Sequence, residues 1–104
     1  MKTITSQDID VLTAIIYNEN IFSKRTTITA INNSCDCYNR VRYDENSIED
    51  SLNNFIDLKI IKKFRNSSYK VKKNFRKKIK RSFSLNTDYF KISEQIKEIL
   101  KSYQ

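Results

Sequence analysis

The sequence predicts a mainly α protein carrying a small β-hairpin, an α+β arrangement in one domain over residues 1–104. Three observations lead there. Apolar residues recur at helical spacing in three separate stretches. Between the second and third the spacing shortens to two, on either side of a polar break. The chain length suits one modest core and leaves no room for a second module.

The first helix is expected over 6–20. "TSQDIDVLTAIIYNEN" opens with a Thr/Ser cap and puts Asp8 in the first turn, where an acidic group suits the helix dipole. Ile9, Leu12, Ile15 and Ile16 then follow helical spacing. A short helix is expected over 26–33, offering Ile28 and Ile31 to the core. Residues 33–46, rich in Asn, Ser and Asp, read as loop. Asn46 followed by Glu49 fits a helix start, and the helix over 46–58 would bury Ile48, Leu52, Phe55 and Ile56. In "KIIKKFRNSSYKVKK" the period becomes two, which predicts a hairpin over 60–73 with its turn at residues 66–68. Glycine is absent, so that turn lacks its most favourable chemistry. Phe75, Ile79 and Phe83 are spaced by four, as a helix or an irregular arm. A last helix over 87–103, capped by Asn86 or Thr87, carries Tyr89, Ile92, Ile96, Ile99 and Tyr103 at intervals of 3 and 4.

Charge is the strongest compositional fact. The net charge is +8, and there is no histidine. Residues 1–58 carry five basic and nine acidic side chains, whereas 59–81 carry twelve basic and no acidic one. A positive block with aromatic and aliphatic residues interleaved (Phe64, Tyr69, Val71, Phe75, Ile79) points to a folded element that meets a polyanion. A solvated basic face is the competing reading. Without histidine or glycine the usual acid/base group is missing, and no P-loop, GxSxG, HExxH or GxGxxG motif can exist. An enzyme is not expected, and neither is a cofactor. No stretch approaches the ~18 apolar residues of a membrane span, and the N-terminus lacks a signal-peptide core. A cytoplasmic protein without a membrane partner is the expectation.

The order helix, short helix, capped helix, basic hairpin, helix resembles a winged helix-turn-helix domain of the ArsR and MarR type. The likeness is carried by "IEDSLNNFIDLKII", where Ile48, Leu52, Phe55, Lys59, Ile60 and Ile61 match that family's aliphatic, Leu, large apolar and Gly-Leu-Ile positions. It spans about residues 6–73. The chain departs from the pattern at Lys59, where such proteins carry glycine in a left-handed cap. It departs again in the segment between the two helices of the motif, which is longer than the usual 3–4-residue turn.

The resemblance implies double-stranded DNA as partner. In that register Ser47, Asp50, Ser51 and Asn54 face the groove, with ordinary solvated helix surface as the alternative for Ser51 and Asn54. Lys62, Lys63, Arg65, Lys70, Lys72 and Lys73 would contact phosphates or a minor groove from the wing. Arg40 and Arg42 stand behind them in the preceding loop. Acidic Glu49, Asp50 and Asp57 weigh against tight phosphate contact by the helix, so affinity is expected from the wing and specificity from the helix. ArsR-like proteins pair through terminal helices, which makes Tyr89, Ile92, Ile96, Ile99 and Tyr103 a homodimer interface; packing on the chain's own first helix is the alternative.

Three functions follow. The first is a small repressor-type transcriptional regulator reading a specific site as a homodimer. The second is a centromere-binding adaptor, similar to TubR proteins, that arrays on repeated sites and engages a filament-forming partition protein. The third is a basic RNA-binding protein, weakened by the lack of an RNP-type signature or GXXG loop. Cys35 and Cys37 have the spacing of a metal-sensor pair, yet two thiols and no imidazole fall short of a thiolate site. They read as thiols in an extended turn, with no metal bound.

Overall fold

A computed structural model describes residues 3–79 and 87–103. Helix α1 (Ser6–Phe22) opens on a capping box: the Thr5 hydroxyl accepts from the Asp8 N–H at 3.2 Å, and Asp8 Oδ2 accepts from the Thr5 N–H at 3.0 Å. It closes at Ser23 in the left-handed region, φ 53°. Val11, Leu12, Ala14, Ile15 and Ile16 are all fully buried. Such all-round burial marks a central helix, and α1 is packed by elements on several sides.

A two-residue strand β1 (Thr26–Thr27) follows, then α2 (Ile28–Ser34), whose first turn is capped by the Thr27 hydroxyl. The chain continues into a π-helical turn, Cys35–Asn39, closed by Arg40 at φ 57°. Residues 33–39 are therefore helical, which corrects the expected loop. The reason is tertiary: Cys35 is fully buried in the core, and Ser34, Tyr38 and Asn39 around it hydrogen-bond to Asn18, Tyr17 and Tyr89. Helix α3 (Glu45–Asp57) starts one residue earlier than expected and is capped by Asp44, which accepts from the Asn46 N–H at 3.2 Å.

Helix α3 ends in a Schellman arrangement. The Ile60 N–H donates to Phe55 O at 2.9 Å and the Lys59 N–H to Ile56 O at 3.0 Å, with Lys59 at φ 61°. The left-handed cap expected at Lys59 is present without glycine. It lets Ile60 and Ile61 enter the core at once, and strand β2 (Ile61–Lys63) begins there. Strand β3 (Ser68–Val71) returns beside it, and β1 adds to the far edge, giving a three-stranded antiparallel sheet in the order β1-β3-β2. The turn is a type I turn with a bulge: Ser67 N–H donates to Phe64 O at 3.1 Å, Phe64 N–H to Ser68 O at 2.9 Å, and Ser67 takes the left-handed position, φ 57°.

A one-turn helix α4 (Lys73–Arg76) buries Phe75, and Ile79 is also buried; Phe83 lies outside the described residues, as does Asn86. Helix α5 (Tyr89–Leu100) is capped by Asp88, not Thr87, and runs into a 3₁₀ turn, Lys101–Tyr103. It packs on α1. Tyr89, Ile92 and Ile96 are buried there, while Ile99 and Tyr103 pack at the core's margin. This corrects the expected dimer face, because the 3-4 apolar repeat of α5 is used within the chain. No helix among the described residues is long and apolar enough to cross a membrane.

Candidate nucleic-acid interface

The antiparallel ladder sets the site. Lys62 lies directly opposite Lys70, and both are exposed. Since Thr26 pairs with Tyr69, Arg25 continues the register toward Lys70. One face of the sheet therefore carries three cations in a row: Arg25, Lys70 and Lys62. Phe64 anchors this row. The Arg25 guanidinium carbon lies 3.6 Å from the centre of its ring and Lys62 Nζ lies 5.3 Å away. The other face of the sheet presents Tyr69 and Val71 to the core. Alternation along β2 and β3 thus puts Ile61, Tyr69 and Val71 on the core side and Lys62 and Lys70 on the other.

Arg25 was not among the residues expected from sequence. A two-residue strand has no readable period, so nothing in the sequence placed Arg25 on the wing.

Other expected wing residues surround the row. Lys63 and Lys73 are exposed, Arg65 is exposed in the hairpin turn, and Lys72 is half-buried. Among the described residues, the only cation between Lys59 and Ile79 in an ion pair is Arg76, with Glu19. Lys70 lies near Glu19 without pairing with it, and the others are in no ion pair among the described residues. Opposed Lys62 and Lys70 repel each other, an arrangement that costs stability and would be relieved by an anion.

Helix α3 is oriented differently from expectation. Ser51 is 4% exposed and donates to Asp8 Oδ1 at 2.6 Å. Gln7 Nε2 donates to Ser51 Oγ at 3.4 Å, and Ser47 Oγ donates to Gln7 Oε1 at 3.3 Å. Asn54 lies on the same side, half-buried, with its amide nitrogen buried. So Ser51 is not groove-facing, and Ser47 and Ser51 dock α3 on the start of α1, while the buried Asn54 amide nitrogen has no hydrogen-bond partner among the described residues. Asp50 is exposed as expected, alongside Asn46, Glu49, Asn53 and Asp57. The outward face of α3 is thus rotated by about one position and is predominantly acidic.

Arg40 and Arg42 are exposed in the segment before α3. Arg42 pairs with Asp36 at 3.3 Å, both well exposed, a contact worth little in water. That segment is held by Asn32, whose side chain donates to Tyr43 O at 2.8 Å and accepts from the Tyr43 N–H at 3.0 Å. The Tyr43 hydroxyl donates to Asp10 Oδ2 at 2.7 Å.

The two thiols separate. Cys35 is buried, and burial pushes its pKa up to about 11; Cys37 is exposed. Among the described residues no three Cys, Asp or Glu side chains come together in a way that could hold a metal.

No family model matches the chain, and neither a curated protein nor a solved structure matches it.

Proposed function

We propose that the chain is a winged helix protein that binds double-stranded DNA chiefly through its wing and acts as a small repressor-type regulator. The fold reading rests on the element order α1-β1-α2-α3-β2-β3 with sheet order β1-β3-β2. This places a short strand before the second helix and a hairpin directly after the third. The single observation that carries the function is the row Arg25, Lys70, Lys62 beside a wing whose remaining lysines and Arg65 are in no ion pair among the described residues. Phosphates are the complementary chemistry, since each neutralised phosphate also releases condensed counterions.

The acidic outward face of α3 assigns the two elements unequal parts. Glu49 and Asp50 are repelled by phosphates but can accept from cytosine N4, and Asn46 and Asn53 can bond adenine bidentately. The wing therefore supplies affinity, and α3 discriminates by attraction to some bases and repulsion elsewhere. A homodimer remains part of the proposal, but not through the buried residues of α5. Ile21, Phe22 and Phe90 are the large apolar side chains left exposed among the described residues.

Footprinting on the DNA flanking the gene tests this reading. One protected operator supports the repressor role, a tract of evenly repeated sites supports a partition adaptor instead, and preference for structured RNA over duplex DNA at equal salt refutes both.

A further inference from the structure

Between the C-terminal end of α1 and the wing lies a cleft of about 680 Å³. Four cations line it: Lys24 and Arg25 from the α1–β1 connection, Lys70 from β3 and Arg76 from α4. Ser23, Thr27 and Ser68 also line it, the Ser68 hydroxyl donating to Asn66 Oδ1 at 2.6 Å and the Thr27 hydroxyl accepting from the Ala30 N–H.

Arg76 is held in place. Its Nη1 donates to Asn20 Oδ1 at 2.8 Å and its Nη2 lies 3.3 Å from Glu19 Oε2. Glu19 is itself fixed, accepting from the Val71 N–H at 3.1 Å. Its side chain is only 7% exposed, and burial raises its pKa despite Arg76 and Lys70 nearby. A guanidinium has five N–H donors, so two anchoring contacts leave donors for a ligand.

The charge balance decides which ligand. Against four cations stand Glu19 and the roughly half negative charge of the α1 C-terminus. The cleft stays strongly positive. Its spread of cations and hydroxyls over three elements suits a tetrahedral oxyanion better than a flat carboxylate, which a single arginine satisfies.

We propose that this cleft is a phosphate-binding site. The phosphate comes either from one strand of a DNA backbone, which rests on the reading above, or from a free phosphate-bearing small molecule, which does not.

The test is a two-dimensional ¹H–¹⁵N NMR titration of the full chain with inorganic pyrophosphate at constant ionic strength. Saturable shifts are expected at Ser23, Lys24, Arg25, Ser68 and the Arg76 side chain. Lys24 is exposed, so Lys24→Ala should fold as wild type yet bind roughly tenfold more weakly, the loss of one charge-assisted hydrogen bond. Lys77→Ala, outside the cleft, should bind unchanged. Absence of saturation, or equal weakening by the two substitutions, overturns the site. A second titration with a short duplex assigns the source. Displacement of DNA by pyrophosphate from the same residues identifies a backbone phosphate, and saturation without displacement identifies a free ligand. If pyrophosphate saturates while no duplex binds at all, the cleft stands and the DNA reading fails.

Discussion

Replacing Lys62 by glutamine should weaken DNA binding while leaving stability close to that of the wild type. Lys62 and Lys70 are paired residues on adjacent strands, both exposed and neither in an ion pair among the described residues. Two ammonium groups about 7 Å apart repel by about 0.6 kcal/mol in water. Screening reduces this to about 0.2–0.3 kcal/mol at physiological ionic strength. The Lys62 contact with the Phe64 ring, lost in the same substitution, is of similar size and opposite sign, so the Lys62→Gln protein should melt within about 3 °C of wild type. In fluorescence anisotropy with a labelled duplex, the slope of log K against log salt should become shallower by about 0.9, one phosphate contact. A Lys62→Gln protein that binds DNA with an unchanged slope would show that Lys62 is not a phosphate contact.

Three further substitutions or reagents separate scaffold from site. Ser51→Ala removes the 2.6 Å bond to the buried Asp8 carboxylate and should cost about 1.5–3 kcal/mol in urea unfolding, with base preference unchanged. Asn53→Ala, on the exposed face of α3, should do the reverse, altering base preference in a binding-site selection with stability within about 0.5 kcal/mol. Lys59→Gly should stabilise by about 0.5–1 kcal/mol, because glycine accepts φ 61° without a Cβ clash and offsets part of that gain in entropy; a loss of stability would contradict the cap assignment. A thiol reagent at neutral pH should modify the native chain once, at Cys37, and reach Cys35 only on unfolding, as mass spectrometry of the labelled peptides would reveal.

The apolar periodicity of α1, α3 and α5 and the period-two hairpin were readable because each buries one stripe or face, and spacing alone reports that. Asp8 at the start of α1 was readable as well, since a capping box is a local pattern. What escaped was set by contacts distant in sequence. The rotation of α3 is fixed by Ser51 and Ser47 meeting Asp8 and Gln7 about forty positions earlier. A serine at a helix surface position has no sequence mark that tells a docking hydroxyl from a solvated one. Cys35 looked like loop because its neighbours are polar, yet Cys35 is buried and those neighbours bond to α1 and α5. Arg25 joins the wing only through a two-residue strand. The repeat on α5 was legible as apolar, but a sequence cannot state whether such a face meets α1 or a second chain. Here it meets α1.

The central claim is that the wing binds duplex DNA through its cations. It is tested most directly by titrating a labelled duplex with wild-type protein and with a Lys62→Glu/Lys70→Glu variant shown to be folded by circular dichroism. The account predicts binding by the wild type that weakens steeply with salt, and a loss of roughly a hundredfold or more in the variant, as two attractive contacts become repulsive. Equal affinity of the two proteins for the duplex, across the same range of salt, would contradict it.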